Sequence, residues 1–297
     1  MPMSNRQNIL VIGGSGFMGS HTADELSNRG HNVTIFDHVK SPYLRADQTM
    51  IVDDMMNKSA LENATKGIDH VYYFAGVADI RDAKNNPFNT IQNNIMGVTT
   101  ALDVIVQTKI KRFIYASTMY VYSSNGSFYR ASKQAAEIVV KAFSDEYKLD
   151  YTFLRYGSLY GPRSQSWNGL YKYVEEIVRD GHINYSGTGD ERREYIHVQD
   201  AAKLSSDILN KKYINKSVTI TGLEVLDSRT LISMIFEIAD MKLNATFSNN
   251  NVSSDHYKIT PYRFQPDRAV KIVPDEFIDI GQGIMDLIQD IQTNSNN

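Results

Sequence analysis

The feature that most limits what this chain can fold into is an apolar run, Ile9-Leu10-Val11-Ile12, that passes directly into Gly13-Gly14-Ser15-Gly16-Phe17-Met18-Gly19 and then into a helical pattern. Glycines serve such a strand–turn–helix in three ways: the tight turn, close approach of backbone to an anionic ligand, and close packing of helix on strand. The exposed N–H groups and partial positive charge at the helix start then favour a pyrophosphate. A glycine pattern alone is weak evidence, but in this context it points to a dinucleotide. Gly13, Ser15, Gly16, Phe17, Met18 and Gly19 are therefore candidate cofactor contacts. Asp37 follows the run Val33-Thr34-Ile35-Phe36, 18 residues after Gly19. A carboxylate there accepts both adenosine-ribose hydroxyls and repels a 2′-phosphate, which favours NAD over NADP. Asp54, with Met55 beside it and Asp53 competing for the role, is placed to accept from the adenine amino group.

Short apolar runs alternate with helical patterns through the first half. Strands are expected at Ile9–Ile12, Val33–Phe36, Met50–Val52, His70–Ala75, Phe113–Ala116 and Tyr151–Leu154, with helices at Gly19–Arg29, Asn89–Thr108 and Tyr129–Tyr147. That alternation calls for a parallel sheet covered by helices on both faces. Beyond residue 160 the rhythm loosens. Trp167–Arg179, Gln199–Leu209, Ser228–Ala239 and Gly281–Thr293 are expected as helices, Lys216–Thr221 as a strand and the Asn-rich Asn244–Ser254 as a surface loop. Two parts follow: residues 1–160 mainly for the dinucleotide, and residues 161–297 mainly for a second ligand, with some interleaving. No internal repeat or long linker separates them.

The absence of cysteine among 297 residues excludes disulfides and zinc–thiolate sites. A net charge of -3 offers no bulk attraction for nucleic acid or an anionic membrane. No apolar run approaches the ~18 residues that span a bilayer. Residues 1–7 read as a polar leader without the apolar stretch of a signal peptide. A cytoplasmic protein is expected.

Tyr129-Arg130-Ala131-Ser132-Lys133 opens a helical stretch, and its spacing puts Tyr129 and Lys133 on one face, one turn apart. An ammonium beside a phenol favours the phenolate, making a base usable near neutrality. Such a base takes a proton from a sugar hydroxyl as hydride leaves the same carbon for nicotinamide. With 18 tyrosines, roughly one Tyr-x-x-x-Lys arises by chance. The weight lies in its position after the fifth strand, which ends Ala116-Ser117-Thr118. Hydroxyls at that strand end point into the ligand crevice of parallel sheets.

With these residues in place the chain resembles the extended short-chain dehydrogenase/reductase family, the NAD-dependent epimerase/dehydratase group typified by UDP-galactose 4-epimerase. Further motifs carry the resemblance: Val71-Tyr72-Tyr73-Phe74-Ala75-Gly76, Asn94-Ile95-Met96-Gly97-Val98, the run Leu154-Arg155-Tyr156-Gly157-Ser158-Leu159-Tyr160-Gly161-Pro162-Arg163, and the segment from Gly189 to Asp200. The resemblance implies a Rossmann-like, doubly wound α/β fold with a smaller C-terminal α/β part. It assigns the catalytic hydroxyl to Thr118, the base to Tyr129, and the cofactor-ribose contact and phenol activation to Lys133. It adds Phe74, Ala75, Gly76, Asn94, Ala116, Ser117 and Tyr156 to the NAD site. Arg193 matches the arginine that grips the sugar nucleotide's diphosphate, for which a guanidinium fork is suited. Ala78, Arg81, Ser158, Trp167 and Asn168 are expected around the substrate.

Three departures from the family pattern bear on function. Ser158 stands where the family has asparagine. Only six residues, Ser123 to Phe128, separate Tyr122 from Tyr129 where a longer loop is usual. Met119 and Tyr120 follow Thr118 where dehydratases carry Asp and Glu, which argues against 4,6-dehydration. Three functions stay open: a nucleotide-sugar epimerase acting through transient oxidation, expected at C4; a 4-dehydrogenase or 4-keto-sugar reductase using the same residues; and a catalytically silent NAD sensor. The substrate would be a UDP-, dTDP-, GDP- or CDP-linked sugar. The resemblance also implies a homodimer through helical stretches 89–108 and 130–147, with apolar residues such as Ile91, Ile95, Ala135, Ile138, Val139 and Ala142; the alternative is that these faces pack only on their own sheet.

Overall fold

The computed structural model describes residues 6–248, 258–261 and 269–295. Its first half runs β1 (Asn8–Ile12), α1 (Phe17–Asn28), β2 (Asn32–Asp37), β3 (Gln48–Val52), α2 (Lys58–Ala64), β4 (His70–Tyr73), α3 (Ile80–Asn85), α4 (Pro87–Ile91), α5 (Gly97–Ile105), β5 (Arg112–Thr118), α6 (Ser127–Tyr147) and β6 (Asp150–Tyr156). The second half continues β7 (Ser158–Tyr160), α7 (Gly169–Asp180), β8 (Ile183–Tyr185), β9 (Arg192–His197), α8 (Val198–Asp207), β10 (Lys216–Ile220), β11 (Val225–Asp227), α9 (Ser228–Ile238), β12 (Ala245–Phe247), β13 (Ala269–Ile272) and α10 (Ile280–Ser295).

Among the described residues eight strands form one sheet in the order β13-β10-β6-β5-β4-β1-β2-β3, every neighbouring pair parallel. Both faces of the inner strands are apolar because both are covered. Ile9 and Val11 of β1, with Tyr72, Ile114, Leu154 and Val218, pack against α1 and α8. The alternate residues Leu10 and Ile12, with Tyr73, Phe113, Tyr115 and Phe153, pack against α2, α5 and α6. The order reverses between β1 and β4, and it is outside the carboxyl ends of strands at such a point that these sheets bind ligands. A third core, built by α7, α9 and α10 around Tyr160 and Ile183, carries a small sheet β11-β9-β7 over that end.

Four expectations need adjustment. β4 stops at Tyr73, although Phe74 N still donates to Ile12 O at 2.7 Å before the chain leaves the sheet. The stretch expected as one helix over 89–108 starts at Pro87, breaks into a π-helical segment at Gln92–Met96, and ends at Ile105. Helix α7 starts only at Gly169, because Asn168 caps it and Trp167 lies outside. Within the expected loop 244–254, residues 245–247 pair with β8 as a strand; residues 249–254 of that loop, 1–5 of the leader and 296–297 lie outside the described residues.

Candidate active site

β1 delivers the chain to the cleft floor at Ile12, and Gly13 turns it with φ +84°. A side chain on Gly13 would strike the backbone of Ala75, and one on Gly19 would fall on the Gly13 carbonyl oxygen. Glycine alone lets the loop pass this close to the end of β4 and lets α1 pack this close to the loop. Helix α1 begins with Gly16 as N-cap, without a side-chain capping bond and without an acidic residue in its first turn. Its N–H groups are thus available to an anion. Asp37, ending β2, accepts from Ser15 N at 3.0 Å through Oδ2 and from Val39 N at 3.1 Å through Oδ1. These bonds fix the carboxylate at the cleft wall and leave each oxygen further acceptor capacity. The residues present therefore fit NAD. Both Asp53 and Asp54 line the same wall; Asp54 Oδ1 accepts from Met56 N, and Met55 Sδ accepts from the Tyr73 hydroxyl.

At the other end of the floor, β5 brings Thr118 to the cleft, where it is 5% exposed. Its Oγ1 accepts from Tyr120 N at 3.2 Å, starting a 3-10 turn over Met119–Tyr122. Capping the turn and holding a substrate oxygen are compatible, since the hydroxyl hydrogen remains to be donated. Tyr129 lines the cleft from the first turns of α6. Its ring packs beside Ile80 and meets the Tyr120 ring edge-on, with centroids 5.9 Å apart. Lys133, one turn on, is buried, donates from Nζ to Ala116 O at 2.9 Å and stands 4.8 Å above the Tyr115 ring. Burial pushes its ammonium down to about 8, with the Glu137 carboxylate pulling the other way.

All the expected site residues except Asn94 line one continuous cleft of about 1690 Å³. Asn94 does not border it. It sits in the π-helical segment, accepts from Val77 N at 2.7 Å, donates to Val77 O and Ser132 Oγ at 2.9 Å each, and leaves no room for a side chain on Gly76. Its amide therefore clamps the loop after β4 onto α6 instead of facing a ligand. Other cleft residues also have polar groups engaged elsewhere, as Ser117 Oγ has with Glu137 Oε1 at 2.6 Å. The Tyr156 hydroxyl bonds Ser205 Oγ at 2.6 Å, and the Asn168 amide accepts from Leu170 N and Tyr171 N while donating to Leu159 O. Ser158, Trp167 and Arg193 also line the cleft, and Arg81 enters from α3.

Sequence reasoning missed Tyr120, Ile80 and Lys172 as cleft residues. It also missed Glu137, whose signal was available: it continues the four-residue spacing of Tyr129 and Lys133.

A glycine cradle at a helix start, an aspartate ending the next strand, and a hydroxyl, tyrosine and lysine gathered over the sheet define a dinucleotide-dependent enzyme. The family model of the NAD dependent epimerase/dehydratase family matches residues 9–220, and the chain belongs to that family, within the extended short-chain dehydrogenase/reductases. Protein CapI of Staphylococcus aureus is 29% identical over 231 residues, which are 68% of this chain and 69% of that protein. YtcB of Bacillus subtilis, an uncharacterized UDP-glucose epimerase, is 24% identical over 268 residues, 81% of this chain and 85% of its own length. The fold is shared with UDP-glucose 4-epimerase of Thermotoga maritima, solved with UDP-glucose (TM-score 0.84, 21% identity, 97% of this chain and 99% of that one). It is shared equally with UDP-glucuronic acid 4-epimerase of Bacillus cereus, solved with UDP-glucuronic acid and NAD (TM-score 0.83, 22% identity, 97% and 99%).

Proposed function

We propose that this protein is an NAD-dependent nucleotide-sugar epimerase that inverts a sugar hydroxyl carbon, C4, with Tyr129 as the base. The observation carrying this reading is the convergence of Thr118, Tyr129 and Lys133 on the one cleft that also holds the glycine loop and Asp37. When bound, NAD supplies a reversible hydride acceptor beside the sugar carbon. Thr118 donates to the reacting oxygen and holds it toward Tyr129. The Tyr129 phenolate takes that oxygen's proton and later returns it. Lys133 favours the phenolate by its positive charge. Arg193, Arg81 and Lys172 present cations to a diphosphate, and Ser158, Trp167 and Asn168 border the space left for the sugar. A carboxylate pair for dehydration is absent after Thr118, where Met119 is buried and Tyr120 packs on the base. The names of the relatives, UDP-sugar 4-epimerases among them, support a sugar linked to a nucleoside diphosphate.

A net oxidoreductase would use the same three residues, so the test must separate the two. Purified protein is incubated with a panel of UDP-, dTDP-, GDP- and CDP-sugars, and products are followed by proton NMR alongside NADH absorbance. Interconversion of C4 isomers without added reductant is expected. Stoichiometric release of NADH without an isomer would replace this reading by the oxidoreductase one.

A further inference from the structure

Beneath the reacting residues lies a buried charged cluster that the chemistry above does not use. Tyr129, Lys133 and Glu137 recur every four residues on α6 and so share a face. Glu137 is 6% exposed, and its partner Arg155 on β6 is 2% exposed. Arg155 Nε donates to Glu137 Oε1 at 2.9 Å and Nη2 donates to Oε2 at 2.6 Å, a two-pronged pair. The same Oε1 accepts from Ser117 Oγ at 2.6 Å, and Arg155 Nη1 donates to the Tyr122 hydroxyl. Ser117 immediately precedes Thr118, and Tyr122 closes the turn that Thr118 opens. The cluster thus ties together the end of β5, the turn after it and the helix that carries Tyr129 and Lys133.

Two charges taken out of water are costly to bury, and well-packed apolar residues of similar volume often serve stability as well. A fully paired cluster placed directly under the reacting groups therefore suits a role in placing them. We infer that Glu137 and Arg155 are positioning residues for the reaction: Glu137, anchored by Arg155 and Ser117, sets where Thr118 and Lys133 stand relative to Tyr129 and places a carboxylate one helical turn from the Lys133 ammonium. The inference rests on the proposed roles of those three residues. Burial works against the Lys133 charge and Glu137 works for it. From β5, Lys133 faces the Tyr115 ring and the Ala116 carbonyl oxygen. The Tyr115 phenol is pushed well up by burial, with Tyr73, Tyr129 and Glu137 adding to the effect, so it stays neutral. Arg155 reaches Glu137 from β6, and its charge offsets part of the carboxylate's field.

The test is a pH titration of the full chain with NAD bound, using carbon-13 lysine NMR, with the Lys133 resonance assigned by its loss in Lys133→Met. Glu137→Gln removes a nearby negative charge and should lower the Lys133 midpoint by roughly one pH unit. Arg155→Met should raise it, and the double variant should return toward wild type, as coupled partners do. Ser117→Ala keeps the ion pair, is the variant least able to disturb folding, and should raise the midpoint by less. Shifts in one common direction, or no shift in any variant, would overturn the inference. With UDP-glucose as the activity probe, Glu137→Gln should lower kcat roughly 10- to 100-fold through misplacement while leaving KM nearly unchanged; an unchanged kcat also overturns it. The NMR arm needs no substrate, so a protein inert toward the whole nucleotide-sugar panel would count against the proposed function and not against this pair.

Discussion

Tyr129→Phe removes the phenolic oxygen but keeps the ring that packs on Tyr120 and Ile80. Turnover should fall by about 10²- to 10⁴-fold, the usual worth of a positioned base, while NAD affinity measured by calorimetry stays near wild type. Undiminished turnover would show that another group takes the proton. Asp37→Arg addresses the cofactor choice. It replaces a carboxylate held by Ser15 N and Val39 N with a cation, so NAD should weaken and NADP should gain relative to it; a preference that does not move would remove Asp37 from the ribose site. At this scale the sequence was legible in which side chains gather along one cleft, as with Thr118, Tyr129, Lys133 and Asp37. It was not legible where one residue type serves two purposes. The Asn94 amide is used up on Val77 and Ser132, and the Asn168 amide on the start of α7. Neither outcome follows from spacing, because the partners of each amide are fixed only by how the loops pack.

Among elements, the glycine loop is the one whose geometry is most tightly set. Gly19→Ala would drive a methyl group into the Gly13 carbonyl, a backbone clash at or beyond the upper end of the ~1–3 kcal/mol typical of overpacking. A lower thermal midpoint together with lost NAD binding is expected; an alanine variant that binds NAD normally would mean that helix and loop can separate. The six strands expected in the first half all formed, because continuous apolar runs between turn residues identify buried parallel strands. The shorter strands of the second half did not announce themselves. β7, β8, β11 and β12 have three residues each, too few for a period to show, and β12 lies in an Asn-rich stretch that reads as loop. The break in the helix over 87–105 was equally hidden, since apolar spacing continues through the π-helical segment where Asn94 turns inward.

For the whole molecule, four histidines that are buried among the described residues shape the response to acid. Burial pushes His21 and His70 down to about 4 and lowers His31 and His197 as well. The unfolded chain then binds protons that the folded one refuses, so stability rises with pH between about 4 and about 6.5 and is lost on acidification through that window. Thermal midpoints should fall by several degrees from pH ~7 to pH ~5; a flat profile would contradict the buried neutral state. The exposed apolar residues Phe88, Ile91, Met96, Phe128 and Ile138 lie along α4, the π-helical segment and α6. These side chains are not covered by their own sheet, and a homodimer through them is the proposed cover. Light scattering at micromolar concentration should return twice the chain mass, and Ile138→Glu should return the chain mass; a wild-type monomer would contradict the dimer. The central claim is that a sugar carbon is oxidised and reduced again within one cleft. It is tested most directly by a substrate from the nucleotide-sugar panel carrying deuterium at C4. The account requires the isomer to keep its deuterium at C4 with no net NADH formed, and loss of the label to solvent would contradict it.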